Sequence, residues 1–226
     1  MTRIKIWDLA IRIFHWALVG AFAMSSYSAF QDKVMTGYDE MHLNAGLAIL
    51  ILASSRLLWG VVGSGTALFT SFVRGPRKVI DYVRSIRSSK GYTYIGHNPL
   101  GGWFVVAMII ALIVQATMGL YSRDDILFEG PLAYLVGEKM SGQITEYHKT
   151  LGITLMILAG LHIASVLLYS FGKGVELIKP MVTGYKVVSD DLIKEKDRKQ
   201  NLSFVSPLWA LTLFLITGFV LCWFIF

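Results

Sequence analysis

Cysteine is almost missing from this sequence. Cys222, inside the last apolar stretch, is the only one among 226 residues. Iron–sulfur clusters, cysteine-rich zinc sites and covalently attached c-type haem all need two or more cysteines. The sequence therefore excludes these three kinds of site, and any metal that the chain binds must be held by histidine or carboxylate.

Charged residues are also scarce. They make up 16% of the chain against 54% hydrophobic residues, and the apolar residues form long blocks. A helix needs about 20 apolar residues to cross a bilayer, and it satisfies its backbone hydrogen bonds internally. The sequence thus predicts an all-α membrane protein with spans at residues 11–30, 43–62, 100–121, 147–171 and 205–226.

The first span admits a second interpretation. Basic residues, a short apolar stretch and a small-residue end are also typical of a secretory signal peptide. Asp8 and Arg12 interrupt the approach to the apolar stretch, and His15 lies inside it. We therefore expect this segment to be a transmembrane helix.

The basic residues are concentrated on one side of the predicted membrane. The segment before the first span and the loop 63–98, which we expect to be solvated, are basic, whereas the loops 31–41 and 122–146 are mainly acidic. The positive-inside rule places the N-terminus in the cytoplasm and the C-terminus outside. Tryptophans at the predicted inner interface agree, namely Trp7, Trp16, Trp59 and Trp103. The net charge of +6 is then a topology signal, and no nucleic-acid partner is expected.

Four of the five histidines can be assigned to two depths in the membrane. His148 and His162 are fourteen residues apart on the fourth span, which separates them by about 21 Å along the helix and about 40° around it. His42 opens the second span at the depth of His148, and His15 lies near the inner end of the first span. A buried imidazole in a membrane bundle is costly without a partner. The sequence predicts an outer pair, His42 with His148, and an inner pair, His15 with His162.

Two imidazoles that face each other from different helices can bind haem iron on both axial faces, which suits electron transfer. Zinc would need three or four ligands close together, and the sequence has no pair of the H-E-x-x-H kind. For any single histidine, the alternative is a hydrogen-bonded structural residue. Because two pairs match in depth, we predict that all four bind the iron of two haem b groups.

Two glycines follow predicted ligands by one helical turn. Gly46 comes four residues after His42, and Gly152 four residues after His148. A missing side chain there would let a flat macrocycle lie against the backbone, although ordinary small-residue helix packing is the alternative. We interpret Gln115 and Gly119 in the third span in the same way.

Arg56 lies fourteen residues after His42, so it shares the face of that ligand and reaches the depth of the inner haem. We predict a charge-assisted contact between Arg56 and a haem propionate. Snorkelling to the inner headgroups is the alternative. His97 precedes Asn98 and Pro99, a predicted N-cap and first helical residue, so we expect it at a helix start rather than on iron.

Five features of the sequence occur together: IWD to FHW at 6–16, RLLWG at 56–60, FVRGP at 72–76, GHNPLGG at 96–102 and the His148/His162 pair. Together they resemble the bacterial cytochrome b561 family, which includes the cytochrome b subunits of nickel-iron hydrogenases. The resemblance covers residues 1–185 and implies a four-helix bundle with two b-type haems, whose ligand positions coincide with the four histidines. It also implies electron transfer between membrane quinone and an outer partner, such as a hydrogenase, another reductase or a periplasmic c-type cytochrome.

The C-terminal part departs from the simplest four-helix members. We expect a di-haem cytochrome b bundle at residues 1–185, a charged cytoplasmic linker at 186–204 and an additional transmembrane helix at 205–226. The last helix contains no histidine and no charge. We expect it to pack against the bundle, a second copy of the chain in a homodimer, or a partner subunit.

The expected function is that of a di-haem b-type cytochrome in the bacterial inner membrane, conducting electrons between the quinone pool and a periplasmic redox partner. One branch of the resembled family instead oxidises superoxide and reduces ubiquinone, but acidic outer loops disfavour an anionic substrate. A histidine-relay proton channel or transporter is a third hypothesis. It predicts acidic residues within the spans, and the sequence has none there.

Overall fold

Long helices make up most of the structure. The computed structural model describes residues 2–31, 37–85, 96–124, 128–172, 174–188 and 203–226. In chain order the elements are β1 Thr2–Lys5, α1 Leu9–Ala29, α2 Tyr38–Val62, α3 Phe69–Phe72, α4 Pro76–Ser85, α5 Pro99–Tyr121, a 3₁₀ helix Ala133–Leu135, α6 Glu138–Leu167 with a π-helical end Leu168–Gly172, α7 Ile178–Thr183, β2 Tyr185–Val188 and α8 Pro207–Ile225. Among these residues, α1, α2, α5, α6 and α8 are long and apolar enough to cross a membrane. The five predicted spans are therefore confirmed as helices.

Helix α6 is longer than its predicted span. It begins at Glu138, nine residues before the start expected at residue 147. Its first turns are polar and carry Glu138, Lys139 and Glu146. Hydropathy marks only the part of a helix that suits hydrocarbon, whereas backbone hydrogen bonding continues into water. His148 is thus preceded by about three helical turns, so it is held within regular structure rather than at a fraying helix end.

A small sheet joins the N-terminus to the segment after α7. β1 and β2 pair antiparallel, with Ile4 opposite Lys186. The Ile6 N–H donates to the Gly184 carbonyl at 2.8 Å. Gly184 has φ +86°, and a Cβ there would lie 2.9 Å from the Trp7 carbonyl oxygen, so this turn needs glycine. The sequence did not predict this sheet.

The first residues of the predicted charged linker lie in a strand. Residues 186–188, which we expected to be part of it, are in β2, and Lys186 is buried rather than solvated. Pairing with β1 accounts for this, because alternate side chains of a paired strand point to opposite faces. Residues 189–202 of the predicted linker lie outside the described residues.

The chain forms two compact units, and every one of the five long helices contributes to both. Unit 1 comprises Met1–Ile13, Arg56–Ala107 and Ser165–Leu211, and unit 2 comprises Phe14–Ser55, Met108–Ala164 and Thr212–Phe226. The core of unit 1 contains Ile6, Trp7, Ile11, Trp59 and Ala67. The core of unit 2 contains Leu50, Ala116, Leu120 and Ile225.

Candidate functional site

The structure brings His42 and His148 together within unit 2. His42 lies in the second turn of α2 and His148 lies on α6. Their ring centroids are 6.1 Å apart and the ring planes are nearly perpendicular, at 83°. The two rings therefore approach each other from different helices, as the depth argument predicted for the outer pair.

Backbone carbonyls fix the orientation of both rings. Nδ1 of His42 lies 2.9 Å from the Ser25 carbonyl oxygen on α1, and Nδ1 of His148 lies 3.0 Å from the Gln115 carbonyl oxygen on α5. A carbonyl oxygen only accepts hydrogen bonds, so Nδ1 must carry the ring proton in each case. Nε2 is then the nitrogen with the lone pair, which is the form that a histidine needs to bind a metal.

Two serines of α1 complete the surroundings of His42. The Ser28 hydroxyl donates to the Ser25 carbonyl at 3.0 Å, and its oxygen lies 3.2 Å from Nδ1 of His42. The sequence prediction did not include either serine, because a contact made through a main-chain carbonyl leaves no residue-type signature. The sequence could have indicated these serines only through their position in the last two turns of α1, which lie opposite the start of α2.

Gln115 holds His148 at a second point. The side-chain amide nitrogen of Gln115 donates to the His148 carbonyl at 3.0 Å. The same amide nitrogen lies 3.3 Å from Nε2 of the His148 ring. A Cβ at Gly119 would lie 3.1 Å from Cε1 of His148, and a Cβ at Gly152 would lie 3.1 Å from the Gln115 amide. These two glycines therefore make room for the ring and for the amide that holds it.

The predicted macrocycle contact differs between the two glycines. A Cβ at Gly46 would meet nothing within 4 Å, so there is open space beside the helix one turn after His42. Gly152 instead faces the Gln115 amide. The open space beside Gly46 fits the macrocycle contact predicted for it. Gly152 instead makes room for the Gln115 amide, which the sequence did not predict.

His15 and His162 also belong to unit 2, on α1 and α6. They lie close enough to interact electrostatically. Nδ1 of His15 is buried and has no hydrogen-bond partner among the described residues, and its ring packs edge-on against Trp16 at 5.2 Å. A buried nitrogen without a partner is costly, so this ring fits a site where a further group binds.

Within the part of the chain that the structure describes, no group of three or more His, Cys, Asp or Glu side chains is placed to hold a metal ion. The histidines instead occur as pairs. A pair suits haem iron, for which the protein supplies only axial ligands.

Arg56 is buried in unit 1, with 4% of its surface exposed. Its Nη2 donates to the Ala67 carbonyl at 3.1 Å, and the guanidinium lies 5.2 Å from the centre of the Phe69 ring. Nη1 is buried and has no hydrogen-bond partner in the described ranges. This environment disfavours snorkelling, because the charge does not reach the surface.

Asp8 supplies a negative charge to the same unit. It is 3% exposed, and its carboxylate accepts from the Ile11 N–H at 2.6 Å and from the Trp59 indole N–H at 3.2 Å. Its charge also interacts with that of Arg56. In the sequence, Asp8 argued against a signal peptide and belonged to the IWD segment of the family resemblance, but its interaction with a buried arginine was not predicted. An acidic residue directly before an apolar span was the signal for a buried charge partner.

His97 lies between two aromatic rings in unit 1. Its ring centroid is 4.9 Å from that of Trp7 and 4.8 Å from that of Phe72. Asn98 caps α5, because its side-chain oxygen accepts from the Gly101 N–H at 2.7 Å. The predicted N-cap is therefore confirmed.

The fold and the histidine pairs together define a helical membrane protein with sites suited to haem iron. The family model of the prokaryotic cytochrome b561 matches residues 6–184. The chain belongs to this family. It is accordingly a membrane b-type cytochrome that functions in electron transfer. Neither the curated proteins nor the solved structures gave a match to the chain.

Proposed function

We propose that this protein binds two haem b groups, one between His42 and His148 and one between His15 and His162. The observation that best supports this is the facing His42–His148 pair, with both Nδ1 protons directed to backbone carbonyls. A metal–imidazole bond is about 2.0–2.1 Å long, so nitrogens on the two sides of one iron are about 4 Å apart. Ring centroids 6.1 Å apart are compatible with one ion between the rings.

Haem b held by these histidines would supply one-electron chemistry. The chain has three tasks around it. The Ser25 and Gln115 carbonyls keep the two imidazoles in one tautomer, and the Gln115 amide fixes the backbone of His148. The fourteen-residue step along α6 from His148 to His162 sets a spacing of about 21 Å between the two ligands.

We further propose a role for Arg56 toward a haem propionate. Its Nη1 has donors without a partner among the described residues, and a carboxylate would accept from them. Asp8 already offers one negative charge nearby. A propionate would therefore add a direct hydrogen-bond acceptor to an arginine whose charge is only partly compensated.

The proposed physiological reaction is electron transfer across the bacterial inner membrane between the quinone pool and a periplasmic redox protein, either a c-type cytochrome or an enzyme subunit. The N-terminus would lie in the cytoplasm and the C-terminus in the periplasm, because the basic loops precede the first span and follow the second. Oxidation of a quinol releases two electrons and two protons, so it would need one-electron acceptors of the kind that haem b would supply, with the protons passing to water.

Mixing the oxidised, purified protein with a short-chain quinol tests the quinone part of this proposal. We expect the quinol to reduce haem b, because a quinone-linked cytochrome must exchange electrons with it. The absorption difference spectrum records the reduction, with dithionite giving the full extent. Haem that dithionite reduces but several quinols leave oxidised would contradict the proposal.

Gly119→Ala is expected to weaken the outer haem site selectively. The added methyl group would lie 3.1 Å from Cε1 of His148, so the ring must move away from the Gln115 carbonyl. Loss of such supporting contacts typically lowers metal affinity by about 10–100-fold. Titration of haem into haem-depleted protein measures the change.

Gly142→Ala is the matched control for this prediction. Gly142 lies on α6, and a Cβ there would meet nothing within 4 Å. This variant should bind haem like the unchanged protein. Equal affinities for Gly119→Ala and Gly142→Ala would show that the ring position does not control binding.

A further inference from the structure

Helix α4 has one apolar face and one basic face. At about 100° per residue, Pro76, Val79, Ile80 and Val83 lie along one side of the helix. The rest of the helix surface carries Lys78 and Asp81 opposite this stripe, and Arg77 and Arg84 along its edge next to Ile80. We had expected a solvated basic loop over residues 63–98, but the structure shows a regular amphipathic helix in it.

The apolar face of α4 is largely exposed among the described residues, although Val79 is half-buried. Ile80 is 49% exposed and Val83 is 47% exposed, and no residue of the helix is buried. The helix has ten residues, so its apolar stripe is about 15 Å long. A stable protein interface needs about 800 Å² on each partner, and three aliphatic side chains and a proline on so short a stripe supply much less.

The start of α4 is attached to the end of a membrane-spanning helix. The Trp103 indole N–H donates to the Arg74 carbonyl at 2.8 Å. A Cβ at Gly102 would lie 2.8 Å from the Phe72 carbonyl oxygen, so the chain just before α4 packs closely on the beginning of α5. Tryptophans at the ends of membrane helices lie at the level of the lipid headgroups. Helix α4 therefore begins at the membrane–water interface.

The polar face has the charge that an anionic membrane surface attracts. It carries three basic residues, Arg77, Lys78 and Arg84, against one acidic residue, Asp81. Amphipathic helices of this composition lie in the plane of the interface, with the apolar face among the acyl chains. Basic side chains next to anionic headgroups add attraction that a neutral membrane does not provide.

We infer that α4 lies flat on the lipid surface and binds anionic phospholipid headgroups through Arg77, Lys78 and Arg84. Val79, Ile80 and Val83 enter the acyl region. The helix thereby fixes the connection between α2 and α5 to the bilayer on the side where the N-terminus also lies. Assignment of this side to the cytoplasm rests on the orientation proposed above, whereas the contact with lipid does not depend on haem or on electron transfer.

Fluorescence of labelled single-cysteine variants in lipid nanodiscs tests this inference. The full chain with Cys222→Ser receives one cysteine at a time, by Ile80→Cys or Val83→Cys on the apolar face and Lys78→Cys or Asp81→Cys on the polar face. We expect spin-labelled lipids to quench the label at positions 80 and 83, and aqueous iodide to quench it at 78 and 81.

Lipid composition provides the second arm of the experiment. Quenching by lipid at position 80 should increase from phosphatidylcholine to phosphatidylglycerol-containing discs. Replacing one basic residue, as in Lys78→Gln, should weaken attachment by about fivefold in the anionic discs and leave it unchanged in neutral ones. Glutamine keeps a long polar side chain, so only the charge is tested.

Three results would overturn the inference. Equal iodide quenching at all four positions would show that α4 is solvated. Protection of positions 80 and 83 from both quenchers would show that protein covers the apolar face. Equal quenching by lipid with and without phosphatidylglycerol would contradict the proposed binding of anionic headgroups. Haem content measured on the same samples separates each of these outcomes from a failure of the di-haem proposal.

Discussion

Replacing His148 with alanine is expected to remove one of two haem b groups and leave the other bound. His148 faces His42 at 6.1 Å between ring centroids and has no ring contact with His15 or His162 among the described residues. Without His148, only His42 would remain to hold this haem, so we expect it to dissociate. The haem extracted per chain should fall by half.

The four histidine variants must divide into two groups with different spectra. His42→Ala should lose the same haem as His148→Ala, whereas His15→Ala and His162→Ala should lose the other. Redox titration distinguishes the remaining haem in each group by its midpoint potential. His97→Ala is the matched control and should keep both haems, because His97 packs between Trp7 and Phe72 in unit 1. Loss of both haems in every ligand variant would contradict the assignment of pairs.

Replacing Asp8 with leucine is expected to destabilise the protein strongly. The carboxylate accepts from the Ile11 N–H and the Trp59 indole, and its charge interacts with the buried Arg56. Removing the buried carboxylate leaves the buried charge of Arg56 less compensated, which destabilises the folded state. Two buried donors left without an acceptor add to this cost. The midpoint of thermal unfolding in detergent should fall strongly.

Other variants separate the charge of Asp8 from its hydrogen bonds. Asp8→Asn keeps an acceptor oxygen and removes the charge, so we expect an intermediate loss of stability. Arg56→Met in the Asp8→Leu background should recover part of the loss, because it removes the unpaired charge. Asp81→Leu is the exposed control on α4 and should change stability little. Equal midpoints for Asp8→Leu and Asp81→Leu would exclude a structural role for Asp8.

The spans were predictable because length and apolarity are properties of contiguous sequence. The approach of His42 to His148 was predictable too, since a helix converts residue number into distance with a fixed rise. The positions of the histidines in the sequence did not predict which groups hydrogen-bond to their rings. The Ser25 and Gln115 carbonyls are main-chain atoms that any residue would carry, so their contacts depend on how α1 and α5 pack.

The β1–β2 sheet was not predictable for a related reason. Its strands are four residues each and are separated by most of the chain, so neither a hairpin turn nor a long alternating pattern indicates them.

Helix α4 is a different case. Its apolar positions at 76, 79, 80 and 83 have helical spacing in the sequence itself. The many basic residues of this segment favoured the prediction of a solvated loop, so the helical spacing was not used.

The amount of haem b per polypeptide is the most direct test of the central claim. Haem is extracted from the purified, membrane-derived protein and quantified as its pyridine complex, and the polypeptide is quantified by amino-acid analysis. Two non-covalent haem b groups per chain are predicted by the pairing of His42 with His148 and of His15 with His162. One haem per chain, or none, would contradict it.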